Sequence, residues 1–108
     1  MIMCLNARSL CIEKFDELLA VVRTNDVGCV CVTETWFKPY MSTEYVSLAG
    51  FCCERKDRLE KGGGGVACYV AETITYERLH DLEEDGREII WLIHDKQYGH
   101  NSAWRPRL

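Results

Sequence analysis

The sequence predicts a single α/β domain that begins with a βαβ unit and continues as β-hairpins. Two apolar runs of strand length, residues 1–5 and 27–33, flank a segment with helical periodicity. Short apolar segments separated by glycine-rich or charged turns follow them. A chain of 108 residues accommodates one domain of this kind.

The βαβ unit is predicted from the pattern of apolar residues in the first third of the chain. Residues 1–5 form a short strand that ends at Asn6, and Ser9 is the expected N-cap of the helix. Apolar side chains then recur with the spacing of an amphipathic helix, at Cys11, Phe15, Leu18, Leu19 and Val22. Residues 27–33 are rich in β-branched side chains, which predicts a strand buried on both faces and parallel to the first.

The second half of the chain is predicted to form β-hairpins. Residues 50–55 and 66–70 have strand character, and a charged stretch with four consecutive glycines at 62–65 separates them. These glycines lack the Gly-Lys-Ser/Thr ending of a phosphate-binding loop and no helix follows them, so we interpret them as a turn. Residues 74–79 and 88–94 predict two further strands on either side of an acidic turn.

Composition excludes several classes of protein. The chain is 47% hydrophobic and 28% charged, as in ordinary globular proteins, so disorder is not expected. No apolar run is long enough to cross a membrane and the N-terminus does not resemble a signal peptide, so we expect no membrane partner and an intracellular location. The net charge is −4 without a basic stripe, so binding to nucleic acid would have to be argued from a site.

The seven cysteines are predicted to be buried free thiols that behave as small hydrophobic residues. A disulfide framework would require a secreted protein. The closest pairs are Cys29 with Cys31, in a C-x-C spacing, and Cys52 with Cys53, which are adjacent. Zinc sites use C-x2-C pairs, and adjacent cysteines in a strand point to opposite faces, so this spacing argues against a metal site.

Two polar residues stand at the ends of the predicted parallel strands. Asn6 follows the first strand and Glu34 follows the second. The carboxyl ends of parallel strands lie at one edge of a sheet, where open α/β sheets bind ligands. A carboxylate with an amide oxygen suits Mg²⁺, which completes its coordination with water and phosphate. The alternative is that both residues are solvated strand ends.

Two arginines are candidate contacts for a phosphate group or DNA. Arg55 and Arg58 lie in a charged stretch, and guanidinium groups match the geometry of phosphate oxygens. The alternative is an ion-pair cluster with the intervening Asp57. Trp36, close to Glu34, could stack on a base, although packing against the protein is the simpler role.

Six short sequence words resemble a known family. They occur in order as Leu5-Asn6-Ala7-Arg8-Ser9-Leu10, Lys14-Phe15-Asp16-Glu17-Leu18, Val32-Thr33-Glu34-Thr35-Trp36, Arg55-Lys56-Asp57-Arg58, Gly63-Gly64-Gly65-Val66-Ala67-Cys68-Tyr69-Val70 and Glu88-Ile89-Ile90-Trp91-Leu92. Together they resemble, over about residues 2–93, the N-terminal part of the endonuclease/exonuclease/phosphatase domain in the version carried by non-LTR retrotransposons.

The resemblance implies a partial four-layer α/β sandwich, in which two mixed sheets are faced by helices, and a Mg²⁺-dependent phosphodiesterase. The retrotransposon members are endonucleases that nick DNA to prime reverse transcription. The resemblance implies that Asn6 is a catalytic residue, which helps to position the attacked phosphate and water, and that Glu34 is the metal ligand. It also implies DNA as partner, a nuclear location and no small-molecule cofactor.

The chain departs from the family pattern beyond residue 93. The later Gly-Asp-Phe-Asn and Ser-Asp-His words of the family, which supply further catalytic groups, are absent. The resemblance therefore implies that residues 2–94 are the N-terminal half of the domain, that residues 95–108 are an unrelated irregular tail, and that this truncated phosphodiesterase is inactive alone. The alternatives are a non-enzymatic relic or binding fragment that pairs through an open sheet edge, and a phosphatase or exonuclease of the same superfamily.

Overall fold

A mixed four-stranded sheet with one helix packed on it forms the main body of the protein. The computed structural model describes residues 1–59 and 62–94, so the predicted tail at 95–108 lies outside the described residues. The main body comprises β1 (Ile2–Asn6), α1 (Ile12–Thr24), β2 (Cys29–Thr33), β3 (Phe51–Lys56) and β4 (Val66–Ala71). A separate two-stranded sheet comprises β5 (Tyr76–Arg78) and β6 (Leu92–His94), with a short 3₁₀ helix at His80–Leu82 between them.

The strand order in the main sheet is β1-β2-β4-β3. β1 and β2 are parallel and connected by α1, whereas β4 is antiparallel to both of its neighbours. The predicted α/β class, the βαβ beginning and the β3–β4 hairpin are therefore confirmed. The four-layer sandwich is a finer prediction than this architecture, and it is taken up under Proposed function.

The strand directions bring three loops to one edge of the main sheet. The loop after β1, the loop after β2 and the connection from β3 to β4 all leave the sheet there, because β1 and β2 end at this edge and β4 begins at it. We call this edge the carboxyl rim and define it as residues 6–10, 34–37, 57–59 and 62–65.

The hydrophobic core lies between α1 and one face of the main sheet. Val30, Val32 and Tyr69 on the central strands are almost completely buried there, and the α1 side chains Leu18 and Val22 pack over them. The long loop after β2 closes the core with three buried apolar side chains, at Phe37, Val46 and Leu48. The Tyr69 hydroxyl donates a 2.6 Å hydrogen bond to the Val46 carbonyl, which satisfies the one polar atom of that ring.

The opposite face of the main sheet is only partly covered, and we call it the open face. It carries Cys29 and Cys31, which are half-buried, and Ile2, whose exposed fraction is 71%. The prediction that the second strand is buried on both faces is therefore wrong. One helix covers one face, and the small β5–β6 sheet does not cover the whole of the other.

The helix begins later than its capping pattern predicts. Its N-cap is Cys11, whose side chain makes no capping hydrogen bond, so the prediction of Ser9 is wrong. Ser9 has a left-handed backbone conformation, and its N–H donates to the Glu34 carbonyl at 2.8 Å. This tertiary contact holds Ser9 away from the helix. No helix within the described ranges is long and apolar enough to cross a membrane.

Candidate functional site

Asn6 and Glu34 lie on neighbouring strands at the carboxyl rim. Asn6 is the last residue of β1 and is in register with Thr33, the last residue of β2. Glu34 follows directly, so the two backbones are about one strand spacing, roughly 5 Å, apart. The Asn6 side chain is exposed and that of Glu34 is half-buried, so ligands in solvent can reach both.

Backbone strain is concentrated at this rim. Five non-glycine residues in the described ranges have positive φ angles, and four of them belong to the rim: Arg8 (46°), Ser9 (80°), Glu34 (57°) and Trp36 (61°). Side chains disfavour this left-handed region. Such strain costs on the order of 1–3 kcal/mol per residue and persists where surrounding contacts enforce it, often at functional sites.

Backbone hydrogen bonds enforce the conformation of the first two rim loops. Beyond the strand ends, the Ser9 N–H donates to the Glu34 carbonyl at 2.8 Å and the Leu10 N–H donates to the Thr35 carbonyl at 2.9 Å. The Lys14 ammonium, from the first turn of α1, donates to the Ala7, Arg8 and Ser9 carbonyls at 2.7, 3.1 and 2.8 Å. The loop that follows Asn6 is thus anchored both to β2 and to the helix.

The glycine run holds the segment that follows Glu34. The N–H groups of Thr35 and Trp36 donate to the carbonyls of Gly65 and Gly64 at 3.2 and 2.8 Å. A Cβ on Gly63 would overlap the Trp36 indole, and one on Gly65 would lie 2.7 Å from the Thr35 hydroxyl. Gly64 and Gly65 also have positive φ angles. The glycines therefore form a turn, as predicted, and they also position the segment after Glu34. Only glycine permits the turn to approach that segment so closely.

The Glu34 carboxylate is oriented by its own loop. Its Oε1 accepts a 3.1 Å hydrogen bond from the Trp36 indole N–H. A carboxylate of this kind beside an amide oxygen matches the donors that Mg²⁺ accepts in sites completed by water and phosphate. In the described part of the chain, however, no group of three His, Cys, Asp or Glu side chains includes Glu34. The other rim carboxylate, Asp57, is paired with Arg55, so Glu34 is the rim carboxylate left for Mg²⁺.

Arg55 is engaged inside the protein. Its guanidinium donates to the carbonyls of Met41 and Lys38 at 2.7 and 2.9 Å, and it pairs with the Asp57 carboxylate at 2.6 Å. It also lies over the Phe37 ring, 5.3 Å from the ring centroid. Its side chain is only 13% exposed. These contacts give Arg55 a structural role in holding the loop after β2, and contact with phosphate stays a prediction for it.

Arg58 is the more accessible of the two predicted phosphate contacts. Its side chain is 40% exposed and pairs with Glu88 at 2.8 Å. The other Glu88 oxygen accepts the N–H of Gly65, and this hydrogen bond, followed by those from Arg58, lowers the pKa of Glu88. Arg58 lines a groove of about 650 Å³ beside the rim, together with the basic Lys56 and Arg87. The groove is mixed in charge, since three carboxylates also line it, Asp57, Asp85 and Glu88.

Sequence reasoning missed a cluster of thiols on the open face. Cys29, Cys31 and Cys68 have Sγ atoms that all lie within 4.8 Å of one another. Cys29 and Cys31 share a face because they are two residues apart in β2, and the register places Cys68 of β4 opposite Cys31. The C-x-C spacing could have indicated the shared face. The contribution of Cys68 depends on the register of the sheet, which the sequence does not reveal.

The cysteines are free, as predicted, but most of them are not buried. Cys68 alone of the seven is buried, whereas Cys4, Cys11 and Cys52 are exposed. The prediction of burial rests on the position of several cysteines in apolar runs. The run in β1 belongs to an edge strand, and the face that carries Cys4 is open.

Comparisons with known proteins add no assignment. No protein-family model matches the chain, and no curated protein matches it.

Proposed function

We propose that the carboxyl rim is the metal-binding part of a phosphodiesterase site that acts on the backbone of DNA. The observation that carries the proposal is the position of Asn6 and Glu34, which leave adjacent parallel strands at one strained and extensively hydrogen-bonded edge. The six sequence words support the finer assignment, which is the N-terminal half of a four-layer endonuclease/exonuclease/phosphatase domain of the retrotransposon type. A nuclear location belongs to the same proposal.

Three rim side chains and the glycine run have defined roles in this proposal. Glu34 holds Mg²⁺ through its carboxylate, and Asn6 orients the attacked phosphate and water through its amide. Arg58 contacts a neighbouring phosphate from the groove that it lines. When bound, Mg²⁺ neutralises the charge that develops on the phosphoryl oxygens. The glycine run accepts hydrogen bonds from Thr35 and Trp36 and so helps to fix the loop that carries Glu34.

The same proposal makes this chain inactive by itself. Glu34 by itself holds Mg²⁺ weakly, because Mg²⁺ sites usually combine carboxylates with the phosphate of the substrate. In the described ranges, Glu34 belongs to no cluster of three His, Cys, Asp or Glu side chains that could supply a general base. General acid–base catalysis is commonly worth about 10²–10⁴ in rate. We therefore expect metal binding at the rim without turnover.

Paramagnetic broadening by Mn²⁺, a probe for Mg²⁺ sites, tests the metal site. In NMR spectra of the 108-residue chain, we expect Mn²⁺ to broaden the resonances of Asn6, Glu34 and Thr35 first. Glu34→Gln should abolish that broadening because the amide carries no charge. Glu72→Gln is the matched control, since Glu72 is exposed just beyond β4 at the opposite edge of the sheet. Broadening centred elsewhere, or unaffected by Glu34→Gln, would show that the rim is not the metal site.

A plasmid-nicking assay tests the expected lack of activity. With Mg²⁺ and supercoiled plasmid, the wild-type chain and Glu34→Ala should both leave the DNA intact. Robust nicking by the wild-type chain that Glu34→Ala abolishes would contradict inactivity while supporting the nuclease assignment. Nicking that persists in Glu34→Ala would contradict both the expected inactivity and the role of Glu34.

A binding function is the second candidate, and one observation favours it. β1 is an edge strand of the main sheet, and Ile2 at its start is largely exposed. Edge strands with exposed apolar residues pair with other strands. A second copy of the chain is the simplest partner, and sedimentation would then show a dimer that Ile2→Lys converts to monomer. A monomer that binds Mn²⁺ at Glu34 would favour the phosphodiesterase proposal instead.

A further inference from the structure

The three thiols on the open face have the arrangement of metal ligands. The Cys29 and Cys68 Sγ atoms are 3.4 Å apart, those of Cys31 and Cys68 are 4.0 Å apart, and all three lie within 4.8 Å of one another. With a zinc–sulfur distance of about 2.3 Å, two thiolates of a tetrahedral ion lie about 3.8 Å apart. One observed sulfur–sulfur distance is shorter and the other is longer than this value, so small side-chain rotations would allow the three sulfur atoms to bind one ion.

The cluster is accessible and has a preformed scaffold. Cys29 and Cys31 come from the central strand β2, and Cys68 comes from its hydrogen-bonded neighbour β4, so the three Cα positions are fixed by the sheet. All three thiols line a groove of about 380 Å³ on the open face. Apolar side chains of Ile90 and Leu92 line the same groove. An ion can therefore enter from solvent without opening the core.

The chemistry of the cluster selects a thiophilic ion. Thiolate sulfur is a soft ligand that favours Zn²⁺ over Mg²⁺ or Ca²⁺. The Cys29 and Cys68 sulfur atoms lie within hydrogen-bonding distance, and either thiol can be the donor. Cysteine binds zinc as the thiolate, so metal binding would displace the thiol protons of the cluster.

We propose that Cys29, Cys31 and Cys68 form a zinc site with a fourth coordination position facing the groove. Three protein ligands with one exchangeable position are a common arrangement in zinc proteins. The site is separate from the carboxyl rim, because its ligands occupy the open face within the strands rather than the loops at their ends. The inference therefore stands whether or not the phosphodiesterase proposal holds.

Spectroscopic titration tests this site directly. The reduced 108-residue chain, purified without a histidine tag, is titrated with Co²⁺ and then with Zn²⁺. We expect sulfur-to-cobalt charge-transfer absorption that saturates at one ion per chain, and displacement of that Co²⁺ by Zn²⁺. Cys29→Ser and Cys68→Ser should weaken binding by more than the roughly 10–100-fold that loss of an outer-shell partner costs. Cys11→Ser, which removes an exposed thiol at the start of α1, should bind as the wild type does.

Alkylation of the wild-type chain keeps the test valid if a cysteine variant fails to fold. Cys29 is half-buried and lines the groove on the open face, so iodoacetamide should reach it in the metal-free chain. Zn²⁺ should protect Cys29 and leave Cys11 and Cys52 reactive, as peptide mass spectrometry would show. Equal alkylation of Cys29 with and without Zn²⁺, or formation of a Cys29–Cys68 disulfide in place of metal binding, would overturn the proposal.

Discussion

At the scale of single residues, burial decides what two arginines of one charged stretch contribute. Arg55 directs its guanidinium into the protein, where two backbone carbonyls, a carboxylate and an aromatic ring surround it. Arg58 lies at the surface and shares its charge with Glu88. The two arginines belong to one short motif in the sequence. Only the structure shows that Arg55 anchors the loop after β2 and that Arg58 is available to a ligand.

Arg55→Lys should destabilise the fold although it preserves the charge. A lysine cannot reach the Met41 and Lys38 carbonyls and the Asp57 carboxylate together, because these contacts require the forked guanidinium. Partly buried carbonyls left without a donor cost about 1–3 kcal/mol. Urea denaturation should show a loss of unfolding free energy in this range.

Arg87→Ala is the matched control for this prediction. Arg87 pairs with Glu84 at 2.8 Å, but both side chains are about two-thirds exposed, at 67% and 65%. Exposed pairs contribute about 0.2–1 kcal/mol. A smaller loss of stability for Arg55→Lys than for Arg87→Ala would refute the anchoring role of Arg55.

The positions of Asn6 and Glu34 could be predicted from the sequence, whereas the environment of Arg55 could not. Polar residues at the ends of two parallel strands must emerge at one edge, and the structure places both residues there. Whether they bind metal stays a prediction. The carbonyl partners of Arg55 lie 14 and 17 residues away in an irregular loop. Such a loop has no periodic pattern of apolar residues from which its conformation could be predicted.

At the scale of elements, local patterns predicted the strands and the helix, and tertiary contacts changed their ends. The helical spacing and the β-branched run correspond to α1 and β2. Ser9 has a good capping side chain, but its bond to Glu34 removes it from the helix. The two-faced burial expected for β2 failed because that pattern presumes cover on both sides of the sheet.

Gly65→Ala should disturb the Glu34 segment through a steric overlap. Gly65 has a φ of 88°, and a Cβ would lie 2.7 Å from the Thr35 hydroxyl, which is almost completely buried. The left-handed conformation alone costs alanine about 1–2 kcal/mol. The overlap adds about 1–3 kcal/mol, as overpacking generally does. We also expect the variant to weaken Mn²⁺ broadening at Glu34, because Thr35 is its direct neighbour.

Gly86→Ala separates the two contributions. Gly86 has a similar φ of 83°, but no atom lies within 4 Å of the position of its Cβ. This variant should lose only the conformational part of the stability and should bind Mn²⁺ as the wild type does. Equal losses for the two variants in chemical denaturation would mean that the glycine run does not position Glu34.

At the scale of the whole molecule, the contacts that join the small sheet to the main sheet differ in chemistry from those that form the core. The core under α1 is apolar, whereas β5 and the segment before β6 contact the main sheet through polar bridges. The Tyr76 hydroxyl donates to Glu54 of β3 at 2.6 Å, and Arg78 of β5 pairs with Glu54 as well. Arg78 also pairs with Glu83, which lies between β5 and β6 and holds the small sheet together. Such an attachment is expected to open at a lower free energy than the core, since few buried apolar contacts support it.

Acid should therefore release the small sheet before the main sheet unfolds. Hydrogen bonds from Arg78 lower the pKa of Glu83, and the Gly65 N–H lowers that of Glu88, from an ordinary value of 4.5. A carboxyl group whose pKa is lowered by folding contributes stability above 4.5 and loses that contribution as the pH falls through its folded pKa. Hydrogen-exchange protection factors, measured at each pH against unstructured peptide rates, should thus fall first for β5 and β6 and later for β2 and β4.

Glu83→Gln should reduce this acid dependence, whereas Arg87→Ala should preserve it. Simultaneous loss of protection in both sheets would show instead that they unfold as one cooperative unit.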